Sequence, residues 1–402
     1  MVSIGIDVSK GKSMVCMLRP YGEVVASPYE VLHTEQSIRE LVDRIGLLEG
    51  EARVVMEATG AYHLPLLSTL KSAGIFVSVI NPLAMKKYVL SSIRKVKTDK
   101  MDSVRIANYG IDNWFKLTDH VRSEGIRAEL CILGRQYAHY ITIKVSCLLA
   151  LTNLLDRTMP GIKKLISGSC PATSKKDKLC DFVEEYQHFD RITAMGKKRF
   201  VASYVRWAKK KGYHRSEAKA EAIFVLASEG IPTLPSGVQS TTIMTLESVR
   251  VLREACKTLN TILSQMQALA QTLPEYETVR AMNGVGDTLA PRLIAEIGDV
   301  RRFKCGSCLV AYAGIDSPPF QSGAFTGTRR KITKRGSSLL RKTGYEVMKC
   351  LKTSKPDKDN AVYLFMLKKE AEGKAKKTAK IAALNKFLRI YYARVMEIHA
   401  EA

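Results

Sequence analysis

Segments that would direct the chain to a membrane or through a secretory route are scarce in this sequence of 402 residues. The first residues, MVSIGIDVSKGK, reach a charge at Asp7 and lack the basic, apolar and small-residue order of a signal peptide. No uncharged apolar run approaches the roughly 20 residues that a membrane-spanning helix needs. We therefore expect a cytoplasmic protein without a membrane segment.

Metal-binding cysteine motifs are nearly absent as well. Nine cysteines are scattered along the chain, and only Cys305 and Cys308 form a Cys-x-x-Cys pair. No second pair of this kind and no nearby pair of histidines accompanies them, which disfavours a zinc site. We interpret the cysteines as reduced thiols that mostly serve packing.

Charge, in contrast, is abundant and unbalanced. The chain has 63 Lys and Arg against 39 Asp and Glu, a net charge of +24. A surplus of this size indicates a polyanionic partner, most often nucleic acid. Residues 329–389 contain 19 basic against 5 acidic residues, whereas residues 1–110 contain 14 against 11. The affinity for phosphate is therefore expected near the C-terminus.

Local patterns predict an α/β domain followed by long helices. VSIGIDVS alternates like a strand, TEQSIRELVDRIGLLEG has the apolar spacing of a helix, and ARVVMEATG, HLPLLSTLKSAG and FVSVINP continue as strand, helix and strand. This order predicts an α/β sheet with parallel crossovers. Near-heptad apolar spacing at about 123–157 and 241–273 predicts an antiparallel arm or a dimerising coiled coil.

We predict three parts: an α/β domain at 1–118, a coiled-coil arm at 119–275 with a helical insertion at about 158–238, and a mainly α-helical domain at 276–402. In the last part, Gly284 and Gly286 form a GxG turn between helices. Such a turn can bring backbone amides to a phosphate, as in a helix-hairpin-helix element, or can be a plain helix start.

Two acids lie at predicted strand ends of the α/β domain. Asp7 is within or at the end of the first strand, and Glu57 ends a later one, where open α/β sheets place ligand sites. Either acid alone is more often a solvated strand end. The presence of further acids near Asp7 and Glu57 would favour a ligand site over solvated strand ends.

Those further acids occur in the stretch KVKTDKMDS, residues 95–103. Asp99 and Asp102 share one face of a helix that begins at Thr98 or Asp99. Alone, the pair is more typical of a capping box with Asp99 as the N-cap. Beside Asp7 and Glu57, the pair is also suited to a divalent metal site. The surrounding lysines would then face phosphates; they are Lys95, Lys97 and Lys100.

Several motifs together resemble one family. GIDVSK, MEATGAY, VSVINP and KTDKMDS are similar to the RuvC-like (RNase H-like) DEDD nuclease domain of the insertion-sequence one-ten family of transposases, which are recombinases guided by a bridge RNA. NGVGDTLAPRLIAEIGD, RRF, AYAGIDSPPFQSG and KITKRGSSLLRK resemble the second domain of that family, in the same order. The resemblance covers roughly residues 1–115 and 275–350.

The resemblance implies a specific site. Asp7, Glu57, Asp99 and Asp102 match the four acids that hold magnesium in the family, with two ions expected. Ser322 matches the serine that forms a covalent link to DNA, with Ser317 as a weaker rival because the spacing after Tyr-Ala-Gly is shifted. A basic strip that would contact nucleic acid follows it, comprising Arg329, Arg330, Lys331, Lys334 and Arg335.

Three functions remain open at this point. The resemblance favours an RNA-guided recombinase that excises and inserts a mobile element, acts on double-stranded DNA at element ends and target, and assembles as a homo-oligomer, a dimer or a tetramer. A second candidate is a RuvC-like structure-specific nuclease in which metal-activated water cleaves and Ser322 is structural. A third is a non-catalytic nucleic-acid-binding scaffold whose acids are helix caps.

Overall fold

The computed structural model describes residues 1–58, 60–90, 98–120, 125–166, 177–318, 321–322, 325–326, 331–356 and 360–401. Four of the predicted nucleic-acid-binding residues, Lys95, Lys97, Arg329 and Arg330, lie outside the described residues. The chain divides into two compact units, Met1–Arg122 and Ser123–Ala402.

The N-terminal unit is an α/β domain built on a five-stranded mixed sheet. Its strands are β1 (Val2–Val8), β2 (Lys12–Leu18), β3 (Val24–Leu32), β4 (Ala52–Glu57) and β5 (Val77–Ile80), and its helices are α1 (Glu35–Gly46), α2 (Leu64–Ser72), α3 (Pro82–Leu90) and α4 (Asp99–Asp112). The strand order is β3-β2-β1-β4-β5. Strands β1, β2 and β3 are antiparallel neighbours, whereas β1, β4 and β5 run parallel. The predicted α/β sheet with parallel crossovers is confirmed.

Side-chain alternation gives this sheet two different faces. Ile4 and Ile6 of β1 are fully buried in one core, with Val54 of β4 and with Ile38 and Leu41 of α1. That apolar face is the reason for the strict alternation in VSIGIDVS, because successive side chains of a strand point to opposite sides. The other face of β1 carries the small and polar residues of the same motif.

The C-terminal unit is mainly helical. Its helices are α5 (Ile126–Thr158), α6 (Ile162–Leu165), α7 (Lys178–Tyr186), α8 (Phe189–Met195), α9 (Lys197–Lys211), α10 (Glu217–Glu229), α11 (Gln239–Gln271), α12 (Tyr276–Ala281), α13 (Gly286–Ile297), α14 (Gly306–Tyr312), α15 (Ser338–Ser354), α16 (Ala361–Ala371) and α17 (Lys376–Glu401). A short hairpin joins β6 (Gln321–Ser322) to β7 (Phe325–Thr326).

The two long helices, α5 and α11, pack on each other and take part in two cores. Leu130 near the start of α5 shares a core with Leu263 of α11 and with α12 to α17. Leu151, near the end of α5, shares another core with Val249, near the start of α11, and with helices α6 to α10. The pair is therefore antiparallel, as one of the two sequence interpretations predicted. Its description as a coiled coil stays a prediction.

Helix α5 also has the length and composition of a helix that could cross a membrane. Core helices of soluble proteins meet the same criteria, so this single helix is weak support for a membrane span. In the structure, Leu130, Tyr137, Leu151 and Leu155 of α5 are buried in protein cores.

The GxG turn between α12 and α13 has a packing reason for its first glycine. Gly284 has φ +87°, and a Cβ added there would lie 2.9 Å from the carbonyl oxygen of Val347 in α15. A side chain would therefore collide with backbone. Gly286 has φ +60° and open space at the same position. Of the two glycines, Gly286 is the one whose surroundings leave room for a ligand.

Candidate active site

Helix α4 lies directly on β1 because both elements carry small residues where they meet. A Cβ on Gly5 would lie 2.3 Å from the carbonyl oxygen of Ser103 and from the amide nitrogen of Ala107. A Cβ on Gly110 would lie 2.2 Å from Oγ of Ser3. Gly5 thus meets the middle of α4 and Ser3 meets its end, so the helix and the strand run in opposite directions. The start of α4 lies at the C-terminal end of β1.

Two of the predicted acids are neighbours at this end of the sheet. Ile6 of β1 pairs in parallel with Met56 of β4, so Asp7 and Glu57 are the next residues of the two strands. Neighbouring strands of a sheet lie about 4.8 Å apart. By alternation Asp7 belongs to the face of Gly5, the α4 face. Glu57 belongs to the face of Val55, which packs with Ile106 of α4. Both acids are half-buried.

The other two acids open α4. Asp99 and Asp102 lie in its first turn, where negative charge is favoured by the helix dipole. The N-cap is Thr98, whose hydroxyl accepts a hydrogen bond from the backbone N–H of Met101 at 3.2 Å. The capping box with Asp99 as the N-cap is therefore wrong. With Thr98 as cap, Asp102 takes no part in that capping bond.

Charges of opposite sign surround these acids. Asp102 accepts a hydrogen bond from Arg105 at 2.8 Å. The hydrogen bond to Glu30 at 2.7 Å is the main reason that the pKa of Lys12 is raised, and the charge of Asp99 adds a smaller contribution. Lys12 lies next to Ser13, which pairs with Val8 at the C-terminal end of β1. Its coupling to Asp99 agrees with the convergence of the acids at one end of the sheet.

The donor set suits a hard divalent cation, although the side chains are not arranged around one. Carboxylate oxygens are the ligands that Mg²⁺ and similar ions prefer. Within the described ranges, no three His, Cys, Asp or Glu side chains come close enough to hold a metal ion. The four acids fit such an ion because they supply oxygen ligands, and the strand register makes Asp7 and Glu57 neighbours.

The predicted nucleophile lies on a hairpin of the C-terminal unit. Ser322 ends β6 and pairs with Phe325 of β7. The stem of the loop that carries this hairpin is closed by backbone hydrogen bonds from Thr333 to Asp316 at 3.0 Å and from Lys334 to Gly314 at 2.9 Å. A Cβ on Gly336 would lie 1.8 Å from the carbonyl oxygen of Tyr312, so only glycine permits the closure.

The rest of the predicted basic strip continues along this stem. Lys331, Lys334 and Arg335 are exposed, as the phosphate-binding interpretation requires, and Lys334 has a positive φ of 56°. Lys100 is exposed in the first turn of α4. Ser317, the weaker rival for the nucleophile, is exposed beside the stem and donates a hydrogen bond to the carbonyl oxygen of Lys331 at 3.5 Å.

Three features near the acids were not predicted from the sequence: the hydrogen bond of Arg105 to Asp102, the position of Lys12 near Asp99, and the contact of α4 with Gly5. A glycine inside a strand often marks close approach of another backbone, so Gly5 in GIDVSK was the available signal for that contact. The described cysteines are free thiols, of which Cys16, Cys180 and Cys256 are buried and Cys305, Cys308 and Cys350 are exposed, so packing accounts for only part of them. Cys305 and Cys308 lie with their sulfur atoms 3.5 Å apart.

Two family profiles match this chain. The DEDD transposase profile of the IS110 type matches residues 4–160, and the profile described as "Transposase IS116/IS110/IS902 family" matches residues 276–363. Together they span more than half of the chain and include both candidate sites. The chain belongs to the IS110 family of transposases.

Two curated relatives of the family are similar over most of the chain. The 43.6 kDa protein of insertion element IS110 from Streptomyces coelicolor is 22% identical over 324 residues, which cover 80% of this chain and 77% of the relative. The 44.8 kDa protein of insertion element IS116 from Streptomyces clavuligerus is 22% identical over 373 residues, 92% of this chain and 88% of the relative.

Solved structures of RuvC from Thermus thermophilus match a smaller part. One, in complex with a Holliday junction substrate, has 13% identity and covers 29% of this chain and 96% of its own; the other has 15% identity and covers 30% and 98%. Both TM-scores are 0.22, too low to carry an argument. The family match shows a DEDD transposase domain and the structure shows a five-stranded mixed sheet, whereas the description of this domain as RuvC-like stays a prediction.

Family membership establishes the general activity. The chain is a transposase of an insertion sequence, an enzyme whose substrate is DNA. A DEDD transposase domain also indicates dependence on a divalent metal ion. The metal dependence agrees with the acids near one end of the sheet, and the DNA substrate agrees with the net charge of +24.

Proposed function

We propose that this transposase cleaves and exchanges DNA strands with metal-binding acids and a covalent serine–DNA intermediate, guided by a structured RNA. The acids are Asp7, Glu57, Asp99 and Asp102, the ion is Mg²⁺ with two bound, and the nucleophile is Ser322. The observation that carries the proposal is the meeting of the strand ends of β1 and β4 with the first turn of α4.

The packing of α4 supports the role of the acids. Gly5 lets the helix backbone touch the strand, so Asp99 and Asp102 start the helix at the end of β1 that carries Asp7. When bound there, divalent ions would activate the attacking oxygen and stabilise the leaving oxygen of the phosphodiester. The acids themselves would bind and orient the ions, and Arg105 donates a hydrogen bond to Asp102.

The loop of Ser322 supports the covalent step through its charge. A serine hydroxyl is a weak nucleophile, and it needs both activation and a held phosphate. Lys331, Lys334 and Arg335 are exposed on the stem of the loop and can position a phosphate by charge.

Replacing Ser322 tests the covalent step against the metal-activated-water alternative. With Ser322→Ala, cleavage and the covalent protein–DNA adduct should both disappear, while binding to element-end DNA is retained. Ser317→Ala is the matched control and should still form the adduct. Undiminished cleavage and exchange by Ser322→Ala would favour a RuvC-like metal-dependent nuclease.

The scaffold alternative is tested at the acids. A non-catalytic nucleic-acid-binding protein would keep its whole activity after Asp102→Asn, because the capping bond of α4 is made by Thr98. Recombination at the normal rate by this variant would refute the metal-site assignment. Failure of the unmodified chain to cleave DNA or to bind Mg²⁺ would favour the scaffold.

The guide RNA and the assembly are part of the same proposal. Guided recognition delegates base reading to nucleotides, so the flanking DNA of the element should encode a non-coding RNA with loops complementary to target and element ends. Homo-oligomerisation as a dimer or tetramer is supported by apolar side chains exposed on α5, namely Ile132, Val145 and Leu149. We place the enzyme in the cytoplasm, on the nucleoid.

A further inference from the structure

A groove of about 640 Å³ lies between the stem of the Ser322 loop and helices α16 and α17. Its apolar lining comes from Ile315, Ile332, Phe365, Ile381 and Ala382. Its polar lining includes Lys369, Lys374, Lys386 and Arg389. We call the apolar side chains of the lining the floor of the groove and the cations its rim; together they suit a ligand that is apolar on one side and anionic on the other.

The cations of the rim are not equally available. Lys369 is held by Glu372 at 2.8 Å. Lys374, Lys386 and Arg389, in contrast, have no carboxylate within 4.0 Å in the described part of the chain. Lys386 lies with Nζ 5.3 Å from the ring centroid of Phe365. Among the described residues these three cations have no carboxylate partner and can meet an external anion, although Nε of Arg389 donates a hydrogen bond to Asn385 at 3.0 Å.

The groove adjoins the predicted nucleophile. Ser317 and Ile332, which line it, belong to the two sides of the stem that carries Ser322. Ser322 lies five positions after Ser317, and an extended chain over five positions spans at most about 18 Å. A DNA strand whose phosphate reached Ser322 would have its neighbouring nucleotides within reach of the groove.

We propose that the groove holds an unpaired DNA strand next to the cleaved phosphate, with bases on the apolar floor and phosphates on Lys374, Lys386 and Arg389. The inference rests on the proposed role of Ser322. A duplex hides its base faces by stacking, so the apolar floor would have no partner there. Single-stranded nucleic acids are bound by aromatic or apolar platforms combined with a basic track.

Binding of a thymidine 12-mer to the full chain tests the proposal. Phe365→Leu should raise the Kd about five-fold or more, the lower range for removal of one base–aromatic stack. Lys386→Gln should reduce the slope of log Kd against log salt by about 0.7. Phe115→Leu, at a fully exposed aromatic of the N-terminal unit, and Lys257→Gln, on α11, are matched controls that should change neither value.

Photocrosslinking shows where the strand lies. A 12-mer with one 5-iododeoxyuridine should crosslink to the peptide that contains Phe365. Crosslinks confined to other regions, or wild-type binding by both groove variants, would overturn the proposal. A further outcome would also overturn the proposal. If a uridine 12-mer bound more tightly than the thymidine 12-mer, and if Phe365→Leu weakened only the binding of the uridine 12-mer, the groove would be assigned to an RNA strand.

The two proposals fail in distinguishable ways. If Ser322→Ala abolishes the adduct while Phe365→Leu binds the 12-mer normally, the nucleophile stands and the groove is wrong. If Phe365→Leu weakens binding while Ser322→Ala still forms an adduct, the groove binds a strand but not beside Ser322, which overturns the placement.

Discussion

The end of the N-terminal sheet and the Ser322 stem of the C-terminal unit differ in almost every physical respect. The sheet end has Asp7 and Glu57 on neighbouring strands, and Asp99 and Asp102 lie in the first turn of α4, which packs on Gly5. The stem presents exposed cations on a loop closed by a few backbone hydrogen bonds. Carboxylates repel DNA unless cations lie between them, whereas cations bind it directly. We therefore expect metal binding at the end of the N-terminal sheet, and affinity for DNA phosphates at the stem beside the proposed nucleophile.

Removal of a carboxylate at the sheet end should have the largest effect on activity. Asp7→Asn retains the shape of the side chain but removes its charge, so metal-dependent cleavage of element-end DNA should fall by at least about 100-fold. Binding to the same DNA should be unchanged. Glu49→Gln, an exposed acid of the same unit, is the control for charge. If Asp7→Asn lost DNA binding and cleavage to the same extent, the assignment of metal binding to the sheet end and of DNA affinity to the stem would be contradicted.

Changing the contact that seats α4 should have the next largest effect. Gly5→Ala places a Cβ 2.3 Å from the α4 backbone, so the helix must shift, at a cost of about 1–3 kcal/mol in the free energy of unfolding. Gly46→Ala, with open space around its Cβ, should change stability little. Chemical denaturation of both variants measures the difference. A Gly5→Ala variant as stable as Gly46→Ala would show that the helix is not seated there.

Loss of a single cation on the stem should have the smallest effect. Lys331→Gln or Arg335→Gln should weaken binding to duplex DNA and lower the salt slope by about 0.9 for each phosphate that the variant no longer neutralises. Lys257→Gln on α11 provides the matched loss of charge. Titrations at several salt concentrations measure the slope. An unchanged slope in both stem variants would remove the stem from the DNA-binding surface.

Much of the N-terminal unit could be predicted because its signals are local. The alternation in VSIGIDVS follows from one buried face of β1, and the helix over TEQSIRELVDRIGLLEG from one apolar stripe. The acids could be named because strand ends and a helix start are readable from short patterns. Their meeting at one end of the sheet depends on the direction of α4, which no local pattern contains.

Other features escaped prediction because they join residues far apart in sequence. The guanidinium of Arg127, at the start of α5, makes a bidentate ion pair with the buried Glu275, 148 positions later. The hairpin of Ser322 is two residues per strand, too short for an alternation signal. Thr98 rather than Asp99 caps α4, although both residue types favour that position.

The most direct test of the account is the number of Mn²⁺ ions bound per chain in the presence of element-end DNA, measured by electron paramagnetic resonance. We predict two ions for the unmodified enzyme, since phosphodiester cleavage of this kind uses a pair, and a clear loss of bound ions in Asp7→Asn and Asp102→Asn. The same occupancy in the unmodified enzyme and in both variants would contradict the claim that the four acids form the metal site.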